Sequence, residues 1–182
     1  WNRFGLALDA AGRGEVAERA FAKAIELRRD VAEPYANLGN LYAARGRADQ
    51  AVQAYTAAIT IAPDDPLLRF NLGLVLTRAG RPVDATRELL RAAELNPGDA
   101  DVFVALGDAA AAAGSLADAV QAYRHAIVLD PRLAAAWNNL GNALLRSGQG
   151  REARAAYERA LALRADLDEP RANLARLGAA RL

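Results

Sequence analysis

The chain has 182 residues, ample for one domain, and its charges nearly cancel, with 23 basic against 22 acidic side chains. That balance excludes an electrostatic pull towards nucleic acid or an anionic membrane, and the absence of cysteine excludes disulfides, thiolate zinc sites and a cysteine nucleophile. No apolar run approaches the ~20 residues that a membrane helix needs, so a soluble chain is expected; cytoplasm and periplasm both fit, the cytoplasm slightly favoured.

The chain opens on Trp1 and contains no methionine, which suggests a segment of a longer protein. From there one spacing organises it. Gly5, Gly39, Gly73, Gly107 and Gly141 are each 34 residues apart, with Ala175 in the next place. Gly12, Gly46, Gly80, Gly114 and Gly148 keep the same step, as do Ala17, Ala51, Ala85, Ala119 and Ala153, and the series from Ala24 to Ala160. A fixed period of this length signals stacked supersecondary units. The units run 1–31, 32–65, 66–99, 100–133 and 134–167, followed by a segment 168–182.

The unit 32–65 shows what each repeat is. Tyr35, Leu38, Leu41 and Tyr42 fall at helical spacing and Gly46 interrupts them where a turn is needed. Ala51, Tyr55, Ala58 and Ile59 share one face of a second helix, which stops at Pro63, a residue that cannot donate the next helical hydrogen bond. Gly39, Ala51 and Ala58 let two helix backbones approach closely, and Tyr55 is expected to fill the space between units. In 66–99 Arg69 stands where a leading aromatic is expected, Phe70 lies beside it, Leu89 replaces the later aromatic, and Pro82 should begin the second helix. Proline closes three units, at Pro63, Pro97 and Pro131, but Arg29 and Ala165 take that place in LRRDVAEP and LRADLDEP. There Pro34 and Pro170 follow in the first turn of the next helix, where a missing N–H costs nothing, and a different turn geometry is expected. The segment 168–182 should be a single first helix with Asn173, Leu174 and Leu177 in pattern, either a cap on the stack or the first half of a further, truncated repeat.

These residues resemble the tetratricopeptide repeat over essentially the whole chain. Its W-x2-L-G-x2-Y pattern appears as Trp137, Leu140, Gly141 with Leu144, as Tyr35, Leu38, Gly39 with Tyr42, and as Phe103, Leu106, Gly107 with Ala110. Its Ala-x3-Phe element appears at Ala17–Phe21, Ala51–Tyr55, Ala119–Tyr123 and Ala153–Tyr157. The resemblance implies an all-α, right-handed superhelical solenoid of antiparallel helix hairpins whose first helices line a concave groove. Groove-facing positions carried over from the family are Asn37 and Asn40; Phe70, Asn71 and Leu74; Val104, Ala105 and Asp108; Asn138, Asn139 and Asn142; and Asn173. Asparagine both donates and accepts, so a row of them could pair with the main chain of an extended peptide whatever its sequence. Asn37, Asn71, Asn139 and Asn173 share one position, similar to the asparagine ladder of the O-linked N-acetylglucosamine transferases, with Ala105 breaking it. The same asparagines are also consistent with packing alone. Phe70, Leu74 and Val104 could grip an apolar side chain or lie buried between units.

The two-carboxylate clamp of chaperone co-factors in this family would place its basic residues on Ala36, Asp101 and Ala105, or on Val104, Glu169 and Asn173. Neither set is basic, so no such clamp is expected. His125, the single histidine, is read as a solvated residue on the outer wall. No phosphate-binding loop and no basic patch with interleaved aromatics is present. An enzyme is not expected, and neither are a metal or a cofactor. The expected function is a scaffold that binds a peptide or partner protein, with self-association or a recruiting arm for a larger enzyme, such as a glycosyltransferase, as alternatives. Richness in alanine and arginine suggests a bacterial source.

Overall fold

The computed structural model describes residues 1–179; positions 180–182, the end of the expected capping segment, lie outside the described residues. Eleven helices occupy the described chain: α1 (Asn2–Ala10), α2 (Gly14–Leu27), α3 (Ala32–Ala44), α4 (Ala48–Ile61), α5 (Pro66–Arg78), α6 (Pro82–Leu95), α7 (Ala100–Ala112), α8 (Leu116–Leu129), α9 (Ala134–Arg146), α10 (Gly150–Leu163) and α11 (Asp168–Ala179). They pair as five hairpins followed by a lone helix. The chain divides into two compact units, Trp1–Leu95 and Asn96–Leu182. The first holds the hairpins α1–α2, α3–α4 and α5–α6. The second holds α7–α8, α9–α10 and α11.

The turn inside each hairpin is set by one backbone conformation. Gly114 has φ of +85° and the other glycines of its series fall between +69° and +77°, a left-handed region open to glycine without steric cost. The other glycine series acts through space. A Cβ on Gly141 would lie 2.5 Å from the Tyr157 ring and one on Gly107 2.4 Å from the ring of Tyr123. Tyr55 stands in the same relation to Gly39, so its ring fills the gap between the two helices of its own hairpin rather than the space between units. The buried alanines at 17, 51, 85, 119 and 153 line the same helix contacts at 0% exposure.

Within each unit, hairpins stack because a second helix packs on the first helix that follows it, as α2 does on α3, α4 on α5, α8 on α9 and α10 on α11. The core of the second unit runs through Tyr123, Ile127, Leu140, Leu144 and Tyr157, with Leu174 and Leu177 of α11 packed against it. α11 thereby covers the apolar face of the preceding hairpin, as a following helix does in a stacked array. Pro66 and Pro82 begin α5 and α6, and Asp65 caps α5 by accepting from the N–H groups of Leu67 at 2.9 Å and Leu68 at 3.3 Å.

Two sequence irregularities have plain structural answers. Where proline is missing after α2 and α10, the exits keep the geometry of the others: Arg28 has φ −145° and ψ 89° and Arg164 φ −143° and ψ 98°, against −126° and 76° at Ala62. The expected difference in turn geometry is therefore corrected. In each case an Arg–Asp pair spans the turn, Arg28 to Asp30 at 2.9 and 3.0 Å and Arg164 to Asp166 at 3.3 and 2.9 Å. Arg69 likewise fits the place of the leading aromatic. Trp137 donates its indole N–H to the Pro131 carbonyl at 3.0 Å, and Arg69 donates from its guanidinium to the equivalent Pro63 carbonyl at 3.0 and 2.8 Å. Its other nitrogen pairs with Glu88 at 2.9 Å, both side chains largely buried, where the other hairpins carry Ala20, Ala54, Ala122 and Ala156.

Candidate functional site

The residues projected onto the groove all lie on first helices or on α11. In the first unit these are Asn37 and Asn40 on α3 and Phe70, Asn71 and Leu74 on α5; in the second, Val104 and Asp108 on α7, Asn138, Asn139 and Asn142 on α9, and Asn173 on α11. Phe70, Leu74 and Val104 are half-buried, and Val104 packs against the core of the second unit. Asn37 donates to Asn2 Oδ1 at 2.8 Å. Asn40 accepts from the Tyr55 hydroxyl. Asn71 has no side-chain hydrogen bond among the described residues.

The second unit brings its polar residues into one network. Asp108 Oδ1 accepts from the Tyr123 hydroxyl at 2.6 Å and from Asn139 Nδ2 at 3.0 Å. One repeat later Asn142 Oδ1 accepts from the Tyr157 hydroxyl at 2.8 Å and from Asn173 Nδ2 at 3.0 Å. The same geometry thus recurs at a spacing of one repeat, with carboxylate and amide interchangeable as acceptors. Asn142 also donates to Glu169 Oε1 at 3.0 Å and Asn138 to Glu169 Oε2 at 2.8 Å. Among the described residues Asn138 is, apart from the tyrosines, the one buried polar residue, 8% exposed, and its Oδ1 has no donor. An open cavity of about 320 Å³ lies over this network, lined by Asp108, Tyr123, Asn139, Asn142 and Arg146 among others.

The phenols and the acceptors are matched repeat by repeat. Tyr55, Tyr123 and Tyr157 face Asn40, Asp108 and Asn142 fifteen residues earlier. Where the later residue lacks a hydroxyl, as with Phe21 and Leu89, the earlier one is Leu6 or Leu74. At these paired positions a polar atom is present only where it has a partner, as burial requires. Burial pushes Tyr55 up to about 12 and raises Tyr123 further, helped by Asp108, so these hydroxyls are donors throughout the physiological range. Burial also raises the Asp108 carboxyl above the ordinary carboxylate range, against the hydrogen bonds from Tyr123 and Asn139 that lower it.

The sequence reading missed Glu169, Arg146, Tyr123 and Tyr157 as members of this site. Glu169 was visible as an acidic residue in a clamp position, but its grip by two amides depends on the fold. His125 is exposed as expected, yet it stacks on Phe103 with ring centroids 4.0 Å apart and 17° between planes. Among the described residues no helix is long and apolar enough to cross a membrane.

The repeat model described as TPR repeat matches residues 39–80 and 107–148, and the tetratricopeptide repeat model matches 134–166, together more than half of the chain. No curated protein matches. Among solved structures, the chain is similar to YrrB, described as a TPR protein with an unusual peptide-binding site, at 25% identity and a TM-score of 0.84, covering 100% of this chain and 90% of that one. It is also similar in fold to MamA, at 24% identity and a TM-score of 0.84 over 87% of this chain and 93% of that one. MamA from Desulfovibrio magneticus RS-1 aligns at 21% identity and a TM-score of 0.85, over 91% and 94%. With the helical hairpins, the 34-residue spacing and these matches in agreement, the chain belongs to the tetratricopeptide-repeat family and is a protein-interaction scaffold of that kind.

Proposed function

We propose that the chain is a docking module that holds an extended peptide of a partner protein against the first helices of its second unit, with the amide of Asn139 reading the peptide main chain. The observation that carries this reading is the cavity over Asp108, Asn139 and Asn142. It offers donors and acceptors side by side in fixed orientation, because each amide is held by a neighbour in the adjacent repeat. An amide nitrogen carries two hydrogens; Asn139 uses one on Asp108 and keeps the other for a ligand carbonyl. Likeness to YrrB, described as having a peptide-binding site, supports the same reading.

The test is a selection of peptides from a displayed library on the immobilised chain, followed by affinity measurement on the variant Asn139→Glu. A carboxylate cannot donate, and at position 139 it would stand beside Asp108. We expect selected peptides to bind the variant at least ~10-fold more weakly, the equivalent of one lost interaction of about 1.4 kcal/mol, with unchanged helix content. Peptides that bind both proteins equally would refute the groove as the docking surface.

A further inference from the structure

The second unit carries another cavity, on the side of its second helices, that shares no residue with the amide network. It measures about 580 Å³ and lies between α8, α9 and α10. Its floor is apolar, formed by Ile127, Trp137, Leu140 and Leu144, and Val128 stands at its lip, 77% exposed. Arg124, Glu152 and Arg159 line it as well.

The other repeats serve as an internal control for what packing alone requires. At the place of Val128 they carry Glu26, Thr60, Glu94 and Ala162. No other repeat leaves a branched apolar residue there. At the place of Ala155, which also lines the cavity, they carry Arg19, Gln53, Arg87 and Gln121. A long polar side chain in each of the others has become a single methyl group here. The two departures come from different helices and converge on one opening, one widening it and the other making its edge apolar. Stability of the hairpins asks for neither, since the remaining repeats pack without them.

The charge at the rim selects the occupant. Arg124 is neutralised by Glu152 at 2.7 Å, whereas Arg159 has no carboxylate partner among the described residues. The uncompensated charge beside the apolar floor is therefore positive. We propose that this cavity is a second docking site, which takes one large apolar side chain from an acidic amphipathic helix of a partner protein, with a partner carboxylate on Arg159. Apolar anchors seated in a pocket and flanked by a charge are the usual energetic centre of such contacts.

Trp137 makes the site readable. The chain has two tryptophans, so in a Trp1→Phe background all indole emission comes from the cavity. The probes are two peptides of about 18 residues, five helical turns, with the same leucine face and either glutamate or lysine on the polar face. We expect the glutamate peptide to change the emission saturably and to bind at least ~10-fold more tightly than the lysine peptide. Ala155→Gln, which restores the residue of two other repeats, should weaken it by ~10-fold or more at unchanged melting temperature. Arg159→Glu should reverse the preference between the peptides. Equal binding of both peptides, or unchanged binding in both variants, would overturn the proposal. So would an emission change that follows protein concentration without peptide, which would indicate a second copy as the occupant. Binding abolished by Asn139→Glu but kept by Ala155→Gln would overturn it too, by placing the peptide on the amide network.

Discussion

A methyl group at Gly141 would meet Cε1 of Tyr157 at 2.5 Å, whereas one at Gly114 would meet nothing within 4 Å. The two glycines are thus required for different reasons. At Gly141 the added carbon must displace a ring that is 0% exposed; overpacking costs about 1–3 kcal/mol, offset by up to ~1 kcal/mol of helix propensity. We expect Gly141→Ala to lose about 1–2 kcal/mol. At Gly114 the space is free but φ is +85°, so Gly114→Ala should lose about 1–2 kcal/mol through the backbone alone. Stability by denaturant would be similar for the two, and the discriminating measurement is the Tyr157 ring resonance. It should shift in Gly141→Ala and stay in place in Gly114→Ala.

Within a hairpin, the pair formed by Arg69 and Glu88 does the work that an aromatic and an alanine do elsewhere. Arg69 closes the turn by donating to the Pro63 carbonyl, as the Trp137 indole does to Pro131. Its charge is then balanced by Glu88, the two side chains being 17% and 22% exposed. Arg69→Trp should keep the donor to the turn but strand the Glu88 carboxylate, at a cost of about 1–3 kcal/mol. Adding Glu88→Ala, the residue of the other repeats, should recover most of the loss. A double-mutant cycle by urea denaturation measures this directly. Additive effects would mean that the two positions are not coupled. The matching of tyrosine with asparagine or aspartate, and of phenylalanine or leucine with leucine, follows the same rule one layer away.

Across the molecule, acid acts on the carboxylates in two directions. The Arg47 guanidinium holds Glu18 below its ordinary value against the opposing effect of burial, and Arg81 does the same for Asp84. For such groups the unfolded chain binds more protons in the titration range. Their contribution is present above the ordinary carboxylate range near about pH 4 and is lost as pH falls through the lower folded value. Asp108 has the opposite sign. Its folded value is raised, so its contribution is fully present below the unfolded value and is lost as pH rises through the folded one. Asp108→Asn, which installs the residue found at Asn40 and Asn142, should therefore raise the melting temperature near about pH 7 and give no gain near about pH 3. The gain should not exceed about 4 °C, because the rim of this carboxylate meets water. A gain of equal size at both pH values would show that charge is not its cause.

The helices, the turns and the family were legible from residue order alone, because spacing and backbone conformation are local. A glycine at +φ and an alanine at a close contact do the same job in every repeat, and a proline two residues past the second helix does so in three of the five. The same locality puts Asn37, Asn71, Asn139 and Asn173 in one register of the repeat. What each of them bonds to was decided by tertiary structure. Asn139 reaches Asp108 and Asn173 reaches Asn142 across 31 residues of chain, a partnership set by how one hairpin stacks on the next. For the same reason the role of Arg69 was illegible, since a departure from the pattern reads as a defect until its carbonyl and carboxylate partners are seen. The cavity beside Trp137 needed both kinds of information. Val128 and Ala155 stand out as exceptions within a repeating sequence, and only folding brings residues of α8 and α10 to the same opening.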